Sequence, residues 1–158
     1  MINSRLSEDG DSKEVVRSVT AMIFYDGKLL MLLRDDKPGV VNPNVWGIIG
    51  GGIDGNETPL EAIKRESKEE ISVAPSGLIY MGKSSREKYR FFAHLTDIEK
   101  HQISLGDEGQ GLRFFEIDLL STIKTTPKMK EWTDNYLDQI KYLSTTPNPK
   151  PNSIRGLL

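Results

Sequence analysis

The stretch that decides the fold is GGIDGNE at Gly51–Glu57 followed, after Thr58–Lys64, by RESKEE at Arg65–Glu70. It sets Glu66, Glu69 and Glu70 within about one helical turn of each other beside a glycine-rich loop. Thr58, Pro59 and Glu61 mark a helix start: Thr58 as cap, Pro59 at the first helical position, and Glu61 three residues on to close a capping box. On a helix beginning near Pro59, the three glutamates fall within an arc of roughly 100°, and Leu60, Ile63, Ser67 and Ile71 line an adjacent arc of about 80°. One stripe is expected to pack inward while its neighbour presents carboxylates.

Carboxylates this close raise one another's pKa unless a counter-charge is present. A cation is the natural partner, and hard oxygen ligands suit Mg²⁺ or Mn²⁺, which share their coordination with water and substrate phosphates. Zinc is disfavoured, since the chain has no cysteine and its only histidines are His94 and His101. The competing reading is a solvated helix face on which Lys64, Arg65 and Lys68 balance the glutamates through spaced ion pairs.

The remainder of the chain fits one domain. Its 158 residues, 37% hydrophobic and 28% charged, can bury one core but hardly two. A net charge of −2 offers no bulk attraction to a long nucleic acid, and no apolar run is long enough to span a bilayer. No apolar signal region opens the sequence, and the lack of cysteine suits the cytoplasm. Val15–Phe24 and Lys28–Arg34 read as strands joined by a hairpin at Tyr25, Asp26 and Gly27. Val45–Ile49 reads as a short strand feeding the glycines, with further strands at Gly77–Gly82, Lys88–Leu95 and Leu112–Ile117. A second helix starts at Thr126 and Pro127, and its stripe of Met129, Trp132, Tyr136, Leu137, Ile140 and Leu143 reads as core packing. Residues 1–13 and 145–158 are polar or proline-rich and are expected to be poorly ordered tails around a domain at 14–144.

The spacing from Gly51 through Glu57, Arg65–Glu66 and Glu69–Glu70 to Val73 closely resembles the Nudix box of the Nudix hydrolase family. Ser67 stands where the family has an aliphatic residue, Ser72 where it has glycine, and Ile49 where many members have proline. Ser67 is expected to bond back to the preceding helical turn, and Ser72 to carry left-handed strain of roughly 1 kcal/mol at the helix exit.

The resemblance implies an α/β/α sandwich with a mixed sheet. It also implies metal-dependent hydrolysis of a small-molecule nucleoside diphosphate derivative: a nucleotide sugar, an ADP-ribose-like compound or a nucleoside triphosphate. Glu66, Glu69 and Glu70, with the carbonyl of Gly51, would hold Mg²⁺, for which Mn²⁺ could substitute. Glu108 is the candidate for a further metal-binding or catalytic glutamate, with Asp107 as its substitute. Either Glu69 or Glu108 would serve as base, Arg65 as an orienting ion-pair residue, and Glu57 as a brace for the loop. Arg34, Lys37, Arg86, Lys88 and Arg90 are candidates for phosphate contacts, and Trp46, Tyr89, Phe91 or Phe114 for stacking a base. Alternation along strands allows only one of Phe91 and Phe92, and one of Phe114 and Phe115, to face a ligand. Pairing of two copies stays open. The alternative function is a Nudix-fold domain that binds a nucleotide without hydrolysing it. The isomerase relatives of this fold use a cysteine, which the chain lacks.

Overall fold

Asp26 and Gly27 both adopt positive φ, 50° and 71°, the requirement of a tight hairpin turn whose twist matches its strands. The turn joins β1 (Ser18–Tyr25) to β2 (Lys28–Leu33) in the computed structural model, which describes residues 16–158. The expected tail at residues 1–13 lies outside the described residues. Along the chain follow β3 (Trp46–Gly47), β4 (Ile49–Gly52), α1 (Pro59–Ile71), β5 (Ile79–Lys83) and β6 (Lys88–His94). Then come α2 (Asp97–Gln102), β7 (Gly111–Glu116) and α3 (Pro127–Thr145). Short 3-10 turns occupy Ile117–Thr122 and Pro151–Leu157.

One mixed sheet of seven strands forms the middle layer: five follow the order β3-β2-β1-β6-β5, while β4 pairs with β1 and β7 with β2. β1 and β2 pair only beside their turn, at Phe24↔Leu29 and Tyr25↔Lys28, and then part. β4 takes the freed edge of β1 from Ser18↔Gly52 to Ala21↔Ile49, while β2 continues along β7. The other edge of β1 runs parallel to β6 over its whole length.

Alternation sorts the side chains into two cores. Val19, Ala21 and Ile23 of β1 join Leu30, Phe91, Ile63 and Ile71 under α1. Met22, Phe24, Met31, Phe92 and Phe115 pack with Met129, Trp132, Ile140 and Leu143 of α3. The molecule is thus the expected α/β/α sandwich, and Phe91 and Phe92 do face opposite layers, as do Phe114 and Phe115.

Four local readings are corrected. Leu60 is 41% exposed at the rim of an apolar groove beside Tyr89 and Phe91, and Ala62 takes the inward place. The Thr58 hydroxyl accepts from Glu61 N at 3.2 Å, but the Glu61 carboxylate meets the Thr58 hydroxyl and so leaves the capping box half made. The segment expected as a loose tail from Thr145 instead ends in a packed 3-10 turn that buries Ile154 and Leu157 in the α3 core. Gly156 fits against the Tyr136 ring, where α3 is kinked, and its N–H donates to Gln139 at 3.0 Å. The fourth concerns Ser67, which is fully buried with no hydrogen-bond partner for its hydroxyl.

Candidate active site

The loop from Gly52 to Thr58 is organised around Arg65. Its Nε and Nη2 donate in parallel to the Glu57 carboxylate at 2.8 and 3.0 Å, and Nη2 also reaches the Gly52 carbonyl at 2.9 Å. Nη1 spans Glu66 at 2.9 Å and Glu69 at 3.3 Å. Asp54 lies 3.4 Å from the same guanidinium, and the Glu57 carboxylate accepts from Asp54 N at 2.8 Å. Arg65 thereby fastens the loop to the carboxylate stripe, and this charge-assisted fork holds Glu57 below the ordinary carboxylate range.

Glu70 points the other way, under the glycines. Its carboxylate accepts from Gly50 N at 3.1 Å, and burial, reinforced by Glu66 and Glu108, pushes its pKa up to about 8. Burial likewise raises Glu66, against the pull of Arg65. Glycine is required at Gly50, where a Cβ would strike the Val19 carbonyl, and at Gly51 a side chain would have to move the Glu66 carboxylate.

Glu108 is held over the end of α1 by a loop tied at both sides. Ser104 N and Gly106 N donate to the carbonyls of Ile71 and Glu70 at 3.2 and 3.0 Å, and Gln110 N donates to the Leu33 carbonyl at 2.8 Å. Gly109 N donates to Asp35 at 3.1 Å, and the Gln110 amide to the Arg34 carbonyl at 2.7 Å. Glu108 consequently shares a cleft with Glu70, Gly50, Arg34, Asp35 and Lys37. Only oxygen donors present themselves among the acids here, the ligand chemistry of a hard divalent cation. Among the described residues, no three acids or histidines are already gathered at metal-binding spacing. Arg65 instead engages Glu66 and Glu69, and the Glu69 side chain is 58% exposed.

A second cleft of about 300 Å³ adjoins the first across Arg34 and Gly50. Gly51, Thr20, Lys88, Arg90, Lys128 and Trp132 line it. Of the candidate substrate contacts, Arg34 and Arg90 therefore meet the glycine corner. Arg34 Nε is itself tied to the Val41 and Asn42 carbonyls at 2.9 and 3.1 Å. Trp46 lines neither cleft; its ring packs edge-on against Phe115 at 4.9 Å, within the α3 core. Lys88 and Arg86 meet in a further cleft with Arg90, whereas Tyr89 and Phe91 lie in an apolar groove beside Leu60 and Tyr80. Trp132 and Met129, assigned by periodicity to the core alone, also form one wall of the second cleft. The available signal was Arg90 itself, which shares a strand face with Phe92 and so had to enter the α3 layer.

A family model described as the NUDIX domain matches residues 15–136. Among curated proteins, the RNA pyrophosphohydrolase of Gluconacetobacter diazotrophicus is 46% identical over 59 residues, 35% of this chain and 35% of that protein. The RNA pyrophosphohydrolase of Halorhodospira halophila is 34% identical over 61 residues, 39% of this chain and 30% of that one. The matched stretch thus spans about a third of each of these relatives. Among solved structures, the NUDIX domain of Shewanella oneidensis NrtR complexed with ADP ribose superposes with a TM-score of 0.62 at 16% identity. That alignment covers 89% of this chain and 99% of the other, and it speaks for the fold. The chain belongs to this family, the Nudix hydrolases.

Proposed function

We propose that the chain hydrolyses the phosphoanhydride of a small nucleoside diphosphate derivative, with a divalent cation held by Glu66, Glu69, Glu70, Glu108 and the Gly51 carbonyl. The observation that carries this reading is Glu70, a carboxyl buried under the Gly50 amide with Glu66 and Glu108 close enough to oppose its ionisation. Such an arrangement is costly for a purely structural purpose and suits a cation that displaces a proton. Mg²⁺ or Mn²⁺, when bound, would offset pyrophosphate charge and acidify a water. The chain's own part is to place that chemistry. Arg65 orients Glu66 and Glu69 while pinning the loop through Glu57, and the absence of side chains at Gly50 and Gly51 lets β4 lie close against β1 and leaves room for the Glu66 carboxylate.

Glu69 or Glu108 would take the proton from water. Glu69, more than half exposed and only loosely shared by Arg65, is free to turn toward solvent; Glu108 faces the cleft from a loop tied at both ends. The similarity to two RNA pyrophosphohydrolases over about 60 residues supports pyrophosphate chemistry. The absence of cysteine from all 158 residues suits a reducing cytoplasm.

A second reading, binding without hydrolysis, draws on Arg65 occupying two of the acids and on the ADP-ribose complex of the Shewanella domain. One experiment separates the two. NDP-sugars, ADP-ribose, dinucleoside polyphosphates and nucleoside triphosphates are incubated with Mg²⁺, Mn²⁺ or EDTA, and product release is measured for the wild type and Glu70→Gln. Metal-dependent cleavage that falls by orders of magnitude in the variant is the expected result. Unchanged turnover in Glu70→Gln would overturn the assignment of Glu70, and binding without product would favour the second reading.

A further inference from the structure

The second cleft holds a charge that anhydride cleavage does not use. Arg90 is 4% exposed, yet among the described residues no carboxylate lies within ion-pair distance of it. Its Nη1 donates to Thr20 Oγ1 at 2.8 Å, and its Nε has no partner. The guanidinium lies over the Trp132 ring, 4.8 Å from the centroid, and Lys128 Nζ approaches the same ring to 5.8 Å. Trp132 Nε1 is a second buried donor without a partner in this cluster. One hydroxyl and one aromatic face compensate a buried guanidinium only in part. Glu131, the acid lining the neighbouring cleft, is engaged by Lys128 at 3.1 Å.

Arg90 therefore places an uncompensated positive charge in the wall of the cleft. Lys88, Arg90 and Lys128 line both this cleft and the next, which continues to Arg86, so the cations run outward from the Gly50–Gly51 corner. Trp132, only 2% exposed and with Arg90 over its face, cannot stack a base; it serves to position Arg90. We infer that Arg90, placed by Trp132 and Thr20 and assisted by Lys128, forms an anion subsite for a second phosphate on the substrate, carried on the far side of the nucleoside from the scissile anhydride. The inference rests on the proposed anhydride hydrolysis and narrows its substrate class to nucleotides phosphorylated at both ends. That phosphate is a 3′-monoester on a mononucleotide or the first internucleotide diester of a short oligonucleotide.

The test compares three substrates of one base: a nucleoside 5′-triphosphate, its 3′-phosphorylated derivative, and a 5′-triphosphorylated dinucleotide. The expected result is a kcat/KM at least tenfold higher when the second phosphate is present, mainly through KM, with the dinucleotide telling monoester from diester. Arg90→Gln should bring the ratio close to one. Lys128→Gln, at a half-buried position on the cleft wall, should lower it about threefold. Independently of turnover, a nucleoside 3′,5′-bisphosphate in EDTA should bind at least tenfold more tightly than the 5′-monophosphate by calorimetry, and Arg90→Gln should erase the difference. Equal kcat/KM and equal binding with and without the second phosphate, while metal-dependent cleavage persists, overturn the subsite. Failure to cleave any of the three, together with failure across the wider panel of nucleoside diphosphate derivatives, overturns the hydrolytic reading instead, and the EDTA comparison still decides the subsite.

Discussion

Arg65 holds Glu57 by two parallel bonds, Nε to Oε2 at 2.8 Å and Nη2 to Oε1 at 3.0 Å, and the same guanidinium turns its third nitrogen to Glu66 at 2.9 Å. The loop and the carboxylate stripe are thus coupled through one planar group, which a lysine cannot imitate despite its charge. Arg65→Lys should therefore lower kcat/KM by roughly 10²-fold through misplacement alone. Because Glu57 and Arg65 act as one unit, Glu57→Gln combined with Arg65→Lys should cost little more than the worse single change. Steady-state kinetics on the four proteins gives the answer, and additive losses would refute the coupling.

Glu70 makes the metal-free protein sensitive to pH. Its folded pKa of about 8 lies above the ordinary 4.5, so the folded chain binds the extra proton between these values. Stability contributed by the protonated form is full below pH 4.5 and is lost as pH rises through 8. Glu70→Gln removes that dependence, and at pH 9 in EDTA it should be more stable than the wild type by roughly 3 kcal/mol. Urea denaturation from pH 5 to 9 checks this; parallel curves for the two proteins would count against a buried, protonated Glu70.

Ser67 leaves a hydroxyl with no partner in the α1 core, beside Ile63 and Ile71 on the inward stripe. Ser67→Ala removes the unpaired group with almost no change of shape and should stabilise the fold by about 1 kcal/mol. The readout is the denaturation midpoint at constant m-value. A lower midpoint would mean that the hydroxyl has a partner after all.

Ser72 closes α1 in the left-handed region, φ 67°, while its hydroxyl donates to the Ser104 carbonyl at 2.9 Å and accepts from the Ser104 hydroxyl at 2.8 Å. Two effects oppose each other. Ser72→Gly relieves the strain and forfeits the bonds, so its stability should stay within about 0.5 kcal/mol of wild type. Ser72→Ala keeps the strain and loses the bonds, and should cost about 1 kcal/mol. A smaller loss in the alanine variant than in the glycine variant would invert this account.

The local chemistry at Ser72 and the hairpin at Asp26–Gly27 were legible in the sequence, because backbone sign and turn type depend on one or two residues. The strand faces were legible too, since alternation alone divides Phe91 from Phe92. What escaped was whatever depends on distant partners. The short helix α2 buries no side chain, so it shows no apolar stripe, and only its Thr96–Glu99 capping box marked it. Periodicity correctly turned Trp132 inward but could not say that its neighbour there is a guanidinium from β6. Sequence alone could not decide between base stacking and core packing for Trp46; its place is fixed by Phe115, 69 positions later. The packed turn at Pro151–Leu157 was hidden for the same reason, its apolar residues being too few to signal an element without the Tyr136 kink that receives them.

The two edges of β1 have different histories during synthesis. β2 and β4, which fill one edge, lie within 27 residues of its end, whereas β6, the parallel partner of the other edge from Ser18↔Lys88 to Phe24↔His94, is made some 63 residues after it. Until then, a nascent chain carries an apolar strand with one whole row of amides and carbonyls unsatisfied, a template on which another chain can add. Fragments ending before Lys88 should therefore self-associate. The chain loses that exposed row only when a late strand returns to an early one, in the pairing of β1 with β6.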